Sequence, residues 1–423
     1  MTSHGVDTAS LRASAPDLEQ RFAGFKAKKL ALDMTRGKPC AEQLELSNSL
    51  LTILGPTDFR AADGTDCRNY GGLDGLPEAK ALFSAFLGVA KDEVLVGDNS
   101  SLTLMHDTIA HALLHGVPGG EAPWSRDKVK FLCPVPGYDR HFAICQHFGI
   151  EMLNVDMTDE GPDMDKVETL AGSDASIKGI WIVPKYANPT GATCSDRVVE
   201  RLARMKTAAK DFRIIWDNAY AHHHLTDAPP KLADLLAAAK QAGNADRVLI
   251  YGSTSKVSFA GAGLAVMGGS TANIGWIRGH RSKSTIGPDK LSELRHVRFF
   301  KDMAGIEAHM KKHAALIKPK FDAVDRVLTR ELAGKGIAAW TKPLGGYFVS
   351  LDVLDGCARA VIQMAAEAGV KLTEAGATFP YGKDPRDRNI RIAPTFPSFA
   401  EIETATDVVA VCVQRAALAK LNG

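Results

Sequence analysis

The chain has 423 residues, of which 45% are hydrophobic and 24% charged, and this balance is typical of a folded protein with a large buried core. Its 51 basic and 49 acidic residues leave a formal net charge of only +2. That charge argues against partners that are attracted by a field of one sign, such as nucleic acid or an acidic membrane surface. We expect a small-molecule partner instead.

The seven cysteines are scattered and odd in number, and none of them forms a CxxC or other paired spacing. This pattern predicts reduced core thiols rather than a disulfide framework or a zinc site. Residues 1–21 contain no apolar stretch of signal-peptide length, and no later segment is apolar for long enough to form a membrane helix. We therefore expect a soluble protein of the cytoplasm.

Two amphipathic segments, 74–90 and 102–116, predict helices in the first part of the chain. Between about 129 and 267, short apolar runs alternate with segments of helical periodicity, which is the pattern of a parallel sheet with helical crossovers. The predicted strands are 130–133, 179–184, 212–217, 248–252 and 264–267, and the predicted helices between them are 137–148, 196–210 and 229–243.

A long helical stretch, about 287–332, is predicted to lead from this sheet into a smaller α+β domain with strands at 346–351 and 389–393. The expected fold class is α/β, with a three-layer, mostly parallel sheet that has helices on both faces. The expected domains are an N-terminal arm with part of the small domain (1–45), a large domain (46–300) and the C-terminal small domain (301–423).

Polar loops follow four of the predicted strands, and ligands of open α/β sheets bind beyond the carboxyl ends of the strands. The side chains in these loops suit an aromatic cofactor. Tyr138 offers a face on which a planar ring can stack, and Asp217 offers the anion that keeps a pyridine nitrogen protonated. Asn188 and Tyr220 are neutral donors for a phenolic oxygen on such a ring.

Lys256 follows the fourth of these strands and supplies the amine with which a cofactor aldehyde condenses. Ser253 and Ser255 precede it with hydroxyl groups that suit a phosphate. Each residue alone also has an ordinary structural interpretation, because turn tyrosines and helix-capping aspartates are common. Their succession at neighbouring strand ends is what favours a cofactor site.

In this order the motifs resemble those of fold-type I aminotransferases of classes I and II, over about residues 30–400. The resemblance implies pyridoxal 5′-phosphate as the cofactor, with an internal aldimine on Lys256. It also implies that Asp217 pairs with the pyridine nitrogen, while Asn188 and Tyr220 bond the ring oxygen. Lys256, Asp217 and Tyr220 are then the expected catalytic residues, and the large domain is the cofactor-binding, aspartate-aminotransferase-like one.

The segment 97–102 resembles the helix start with which the family grips the cofactor phosphate, and free amides at a helix N-terminus suit a dianion. Tyr70 lies in a segment that resembles the one whose tyrosine reaches across a dimer interface to the neighbour's phosphate, which implies a homodimer. The implied phosphate ligands in this chain's own helix start are Asn99, Ser100 and Ser101.

Three further residues are implied to bind the substrate together with Asn188. Arg391 lies in a segment that resembles the one whose arginine clamps the substrate α-carboxylate, for which a planar guanidinium is the natural partner. Gly37 matches a backbone contact of the family's substrate loop. Its neighbour Arg36 either faces solvent or binds the second carboxylate of a dicarboxylic substrate.

One position departs from the family pattern. Ala265 stands where most members carry an arginine that pairs with the cofactor phosphate. Either the hydroxyls of Ser253 and Ser255 suffice, or a cation such as Lys283 or Arg281 replaces it. The departure resembles the divergent branch of bacterial aspartate aminotransferases and the aminotransferase-like domain of MocR regulators.

The run His222-His-His224 is not expected to bind a metal, because neighbouring residues of an extended chain point to opposite faces. We expect one of the three to line the site near Tyr220, and no metal site elsewhere.

The resemblance implies a ping-pong transaminase, with aspartate or glutamate and 2-oxoglutarate as the first expectation for its substrates. The alternatives are neutral or aromatic amino acids, alanine with glyoxylate, or lyase chemistry with the same cofactor. A MocR-like regulator is less favoured, because only some 30 residues precede the first family-like segment and they contain no basic recognition helix.

Overall fold

The computed structural model describes residues 5–422, so the terminal residues 1 and 423 of the predicted domain ranges lie outside it. The described part of the chain contains fourteen α-helices and thirteen β-strands. The helices are α1 (Thr8–Ala13), α2 (Ala15–Ala27), α3 (Ala41–Glu45), α4 (Pro77–Leu87), α5 (Ser101–His115), α6 (Asp139–His147), α7 (Met164–Ser173), α8 (Asp196–Arg204), α9 (Leu235–Gln241), α10 (Thr271–Ser284), α11 (Lys290–Phe300), α12 (Met303–Leu332), α13 (Ala358–Glu367) and α14 (Phe399–Asn422). The strands are β1 (Leu32–Asp33), β2 (Val94–Val96), β3 (Lys130–Val135), β4 (Glu151–Thr158), β5 (Gly161–Pro162), β6 (Ile177–Ile182), β7 (Arg213–Asp217), β8 (Val248–Ser253), β9 (Ala265–Gly269), β10 (Ala338–Trp340), β11 (Val349–Val353), β12 (Val370–Lys371) and β13 (Asn389–Ile392).

An eight-stranded sheet with the order β2-β9-β8-β7-β6-β3-β4-β5 forms the centre of the molecule. The strands β4, β3, β6, β7 and β8 are mutually parallel, as the alternation of apolar runs and helices predicted. The prediction missed β2, β4 and β5 and was wrong about the direction of β9, which pairs antiparallel with β8. The connection from β8 to β9, residues 254–264, contains no helix and is too short for the crossover that a parallel pair requires.

Both faces of this sheet are covered, so its strands are apolar at successive positions. Ile180 and Ile214 pack into a core with α4, α7, α8, α9 and α11. Their neighbours Trp181 and Ile215 point to the other face and pack with α5, α6 and α10. The predicted three-layer α/β fold is therefore confirmed.

A third hydrophobic cluster lies outside the large sheet and joins the two ends of the chain. It contains residues of α2, α12, α13 and α14 together with β11 and β13. Strands β10, β11 and β13 form a small antiparallel sheet, and β1 pairs with β12. The predicted α+β unit is thus present, while the domain ranges 1–45, 46–300 and 301–423 remain predictions.

The predicted helix 287–332 is interrupted in the structure. Helix α11 ends at Phe300, Lys301 adopts a left-handed φ of +67°, and the carboxylate of Asp302 accepts a hydrogen bond from the backbone N–H of Gly305 at 2.9 Å. This side-chain cap starts α12 in a new direction. The periodicity of the sequence continues across the break because both helices bury one apolar face.

The seven cysteines are buried free thiols, as predicted. Among the described residues, no helix combines the length and the apolarity that a membrane crossing requires.

The burial of Leu328 in the third hydrophobic cluster can be tested by measuring the stability of a variant. Leu328 of α12 is fully buried there, so Leu328→Ala should lower the free energy of unfolding by about 2–5 kcal/mol through lost burial and a cavity. The same change at Leu114, which is 65% exposed, should have an effect within about 0.5 kcal/mol. Urea unfolding of both variants measures the difference, and equal midpoints would contradict the assignment of Leu328 to this core.

Candidate active site

The carboxyl ends of the parallel strands β3, β6, β7 and β8 lie at one edge of the large sheet, and the predicted side chains follow them. Tyr138 lies between β3 and α6, and Asn188 lies in the loop after β6. Asp217 is the last residue of β7, and Lys256 follows the end of β8 by three residues. This arrangement brings residues that are far apart in sequence to one place.

A cleft of about 640 Å³ opens at this edge, between the large sheet and the third cluster. Six of the predicted site residues line it, and they come from both sides of the cleft. They are Arg36, Gly37, Tyr138, Tyr220, Lys256 and Arg391.

Asp217 is held by a histidine that the sequence reasoning missed. His141 Nε2 donates to Asp217 Oδ2 at 2.9 Å, and both side chains are only 3% exposed. The imidazole stacks on Trp181, with ring centroids 4.5 Å apart and planes inclined by 11°. The only sequence signal for His141 was its place on the buried face of the helix after Tyr138.

The second oxygen of Asp217, Oδ1, is buried and has no hydrogen-bond partner among the described residues. A buried carboxylate oxygen without a partner is costly, and a protonated ring nitrogen is the type of group that would satisfy it. The site residues therefore fit a pyridine-type cofactor.

Lys256 and Tyr220 lie together beside this carboxylate. Lys256 Nζ is 5.1 Å from the centroid of the Tyr220 ring. Burial lowers the pKa of Lys256 below its ordinary value, and the charge of Asp217 opposes this shift. Burial raises the pKa of Tyr220 well above its ordinary value, with the neighbouring Tyr138 and Asp217 adding to the effect. The site thus favours a neutral amine and a phenol that keeps its proton.

Two hydrogen bonds hold the backbone of Lys256 in place. Its carbonyl oxygen accepts hydrogen bonds from His223 Nε2 at 3.3 Å and from the Tyr347 hydroxyl at 3.5 Å. His223 is the member of the histidine run that approaches the site, and its ring packs edge-on against Tyr220. This agrees with the expectation that one of the three histidines lies near Tyr220.

The other two histidines of the run point elsewhere. His222 Nε2 lies 3.2 Å from the carbonyl oxygen of Phe86, and His224 Nδ1 lies 2.8 Å from the Tyr186 hydroxyl. The three rings have three separate sets of partners, so they do not converge on one ion.

The start of α5 lies beside the end of β8. Ser100 is the N-cap of α5, and its hydroxyl accepts a hydrogen bond from the first turn at 3.2 Å. Ala265 accepts from the N–H of Gly97 and donates to the carbonyl of Asp98, both at 3.0 Å, and it pairs in register with Ser253. Residues 97–101, Ser253 and Ser255 therefore belong to neighbouring segments at this edge.

Of the two cations that were considered as replacements for the missing arginine, only Arg281 reaches this loop. It is buried, forms an ion pair with Asp98, and its Nε has no partner among the described residues. Its guanidinium lies so close to Gly97 that a Cβ there would come within 2.7 Å of Nη2. Lys283 is exposed.

Arg391 lies in the wall of the cleft opposite the sheet and is 5% exposed. Its Nη1 donates to Asp139 at 2.8 Å and to Asn188 at 3.4 Å, while Nη2 donates to Thr373 at 3.4 Å. The guanidinium carbon is 4.9 Å from the centroid of the Phe348 ring. Nε has no partner among the described residues, so this fixed cation keeps a free donor.

The loop around Gly37 forms the rim of the cleft. Gly37 packs on Phe348 so closely that a Cβ at this position would overlap the ring. Arg36 is exposed, and the neighbouring Lys38 places Nζ 3.6 Å from the centroid of the Phe396 ring. The sequence reasoning did not single out Arg140, although it is only two residues after Tyr138. The rim cations are Arg36, Lys38, Arg140 and Lys371.

Among the predicted residues that do not line the cleft of their own chain, two are exposed on its outside. Tyr70 is 77% exposed, and Asn99 is also exposed. The segment of Tyr70 is anchored next to Ile286, whose carbonyl accepts from the N–H of Gly71 at 3.1 Å. Ile286 is itself 64% exposed, so two large side chains with apolar surface stand next to each other on the outside.

Comparison with known proteins gives one consistent result. The sequence profile of the family described as Aspartate amino-transferase matches residues 6–423. The chain is 52% identical over 411 residues to a putative aminotransferase of Mycolicibacterium smegmatis, covering 96% of each chain. It is 48% identical over 402 residues to the aspartate aminotransferase of Corynebacterium glutamicum, covering 95% of this chain and 93% of that one.

The solved structures agree. An aspartate transaminase from Corynebacterium glutamicum superposes with a TM-score of 0.95 at 46% identity, covering 98% of both chains. The α-aminoadipate aminotransferase LysN of Thermus thermophilus, in complex with N-(5′-phosphopyridoxyl)-L-leucine, shares the fold with a TM-score of 0.75 at 20% identity, covering 95% of this chain and 98% of that one. The protein is therefore a fold-type I aminotransferase and belongs to the aspartate amino-transferase family.

Proposed function

We propose that this aminotransferase uses pyridoxal 5′-phosphate to move the amino group of aspartate, or glutamate, to 2-oxoglutarate. The observation that carries the cofactor assignment is the buried Oδ1 of Asp217, which has no hydrogen-bond partner among the described residues. It lies beside Lys256, whose pKa is lowered by burial. The substrate assignment is supported by the rim of cations opposite Arg391 and by the named activity of the relative from Corynebacterium glutamicum.

The residues that would hold the cofactor surround one position at the sheet edge. Asp217 would accept from the ring nitrogen, Tyr138 would stack on the ring, and Asn188 and Tyr220 would bond its phenolic oxygen. Ser253, Ser255 and the start of α5 with Asn99, Ser100 and Ser101 would take the phosphate. When bound, pyridoxal phosphate supplies an aldehyde that condenses with amines and a ring that withdraws electrons from the substrate α-carbon.

Arg281 is the cation that we assign to the phosphate in place of the usual arginine. It is buried against Gly97 at the start of the phosphate loop, where Ala265 leaves room. Its pairing with Asp98 holds the guanidinium at this loop, while the free Nε–H remains available to an anion.

Lys256 is the proton carrier of the reaction. Burial lowers the pKa of its amine, so Nζ would accept the proton of the substrate α-carbon and release it again later in the cycle. The hydrogen bonds from His223 and Tyr347 to the Lys256 carbonyl fix the backbone, so the motion is confined to the side chain. One site then serves both half-reactions in turn, which is ping-pong kinetics.

A dicarboxylic substrate fits the distribution of charge across the cleft. Arg391 would bind the α-carboxylate, with Asn188 and the backbone of Gly37 beside it. The second carboxylate would then lie near Arg36 at the rim. A neutral or aromatic amino acid would leave the rim cations without a partner, so it fits this cleft less well.

The homodimer belongs to the same proposal. Tyr70 has no role in its own chain's cleft and stands exposed beside Ile286. An exposed pair of this kind is typical of an interface, and Tyr70 would reach the phosphate of the partner subunit.

The cofactor assignment predicts covalent attachment at one residue. Incubation with pyridoxal phosphate, reduction with borohydride and peptide mass spectrometry should place the pyridoxyl group on Lys256. Lys256→Ala should carry no such group and should lose transamination, while Lys185→Ala, which removes another buried lysine, should leave the labelling unchanged. Labelling that persists in Lys256→Ala would disprove the assignment.

The substrate assignment predicts a selective effect of Arg36→Ala. We expect KM for aspartate to rise about 10- to 100-fold, because a hydrogen bond to a charged group contributes about 1.5–3 kcal/mol. The KM for alanine should stay unchanged. Arg197→Ala is the matched control, since Arg197 is an exposed arginine outside the cleft and its loss should change neither KM. An unchanged KM for aspartate in an active Arg36→Ala enzyme would show that this arginine faces solvent only.

The contact of His141 with Asp217 predicts a positioning effect on the rate. His141→Phe keeps a ring on Trp181 but removes the hydrogen bond, so kcat should fall about 10- to 100-fold for the loss of about 1.5–3 kcal/mol. The KM for aspartate should change little, and His141→Asn should recover part of kcat because its amide can donate. An unchanged kcat in His141→Phe would show that the hydrogen bond from His141 to Asp217 has no role in the reaction.

A further inference from the structure

Three histidines that take no part in the active site lie next to one another on the face of the large sheet that α5 and α10 cover. His111 and His115 are four residues apart on α5 and therefore project from one side of it. His280 of α10 stands beside both, with its ring centroid 4.3 Å from that of His111 and 4.8 Å from that of His115. One ring nitrogen of each lies within 4.8 Å of the other two.

The nitrogens of these rings are available to a ligand. None of the three rings forms a hydrogen bond or an ion pair with any residue in the range 5–422. Burial lowers the pKa of His111, and the neighbouring His280 and His115 lower it further. Burial and His115 likewise lower the pKa of His280. Neutral imidazole is the form that coordinates metal ions, and its free nitrogen then serves as the ligand atom.

We propose that His111, His115 and His280 bind one divalent transition-metal ion of the zinc class, with a fourth position open to water. Three imidazoles suit Zn²⁺ and its neighbours and disfavour Mg²⁺ or Ca²⁺, which prefer oxygen ligands. Zinc–nitrogen bonds of about 2.0–2.1 Å require the ligand atoms to approach to roughly 3.4 Å. His115 is exposed and has the freedom to close this gap by rotating.

The surroundings of the three rings resemble the shell of a metal site. Trp276, one turn before His280, packs edge-on against His280 at 5.4 Å and against His111 at 6.4 Å between centroids. An apolar wall of this kind is usual around bound zinc, whereas the nearby carboxylate of Asp107 pairs with His106.

An ion at this position would tie together the two helices that reach the phosphate loop. Helix α5 begins at that loop, and Arg281, the residue after His280, forms an ion pair with Asp98 in it. The histidines of α5 lie about 15–21 Å along the helix from its first residue, so the ion does not touch the cofactor position. We therefore expect the metal to stabilise the protein rather than to take part in transamination.

The experiment is a titration of the holoenzyme with Zn²⁺ after treatment with EDTA, in competition with a chromogenic chelator. We expect one tight zinc ion per chain and at least a tenfold loss of affinity in both His280→Ala and His115→Ala. Zn²⁺ should raise the melting temperature of the wild type but not of these two variants. Substitution by Co²⁺ should give the intense visible absorption of a four-coordinate site, and this absorption should be absent from His280→Ala.

His106→Ala is the matched control. His106 lies on the same helix, contacts Asp107 and packs on His147, but has no third imidazole beside it. Its loss should leave zinc binding unchanged. The proposal is overturned if the wild type binds no zinc at micromolar concentration, or if folded His280→Ala, checked by circular dichroism, binds zinc as tightly as the wild type.

Discussion

A carboxylate buried at the end of a parallel strand is stable as an anion only when its oxygens are satisfied, and the site depends on how Asp217 meets this constraint. One oxygen is bonded to His141, which is itself held flat against Trp181. The other has no hydrogen-bond partner among the described residues, and in the proposed function it accepts from the cofactor. The charge of Asp217 opposes the effect of burial on the pKa of Lys256, so the carboxylate influences the group that is proposed to move the proton.

The groups that surround the cleft come from separate parts of the structure. Asp217 ends β7 and Lys256 follows β8 of the large sheet, whereas Arg391 lies on β13 of the small antiparallel sheet and Gly37 on the loop that follows β1. Packing of Gly37 and of Arg391 on the Phe348 ring joins the last two parts, and the hydrogen bonds from Arg391 to Asp139 and Asn188 join them to the large sheet. A substrate that binds both Arg391 and Lys256 therefore depends on the relative position of the large sheet and the small antiparallel sheet. A small shift between the two sheets would misalign the substrate α-carbon with the lysine amine.

At the proposed phosphate end of the site, Ala265 stands where most members of the family carry an arginine, so one positive charge is missing from that position. The backbone of Ala265 in β9 is hydrogen-bonded to residues 97–98, and Arg281 of α10 forms an ion pair with Asp98 in the same segment. The same helix presents His280 to α5, so the helices that frame this end of the site are in contact through polar groups as well as through the apolar core. Under the proposal that Arg281 binds the phosphate, this charge comes from a residue 16 positions after Ala265 in sequence, on the helix that follows β9.

The sequence by itself determined the α/β class, the strands that end at Asp217 and just before Lys256, and about half of the helices, because periodicity and strand-end motifs are local properties of the chain. It also pointed to Arg391, Gly37 and the start of α5 through local motifs. Only the tertiary structure decided the direction of β9, the break at Lys301, and the contacts of His141, Arg281 and His280. These depend on which distant elements pack together, and nothing in the neighbouring residues encodes the partner of a buried side chain.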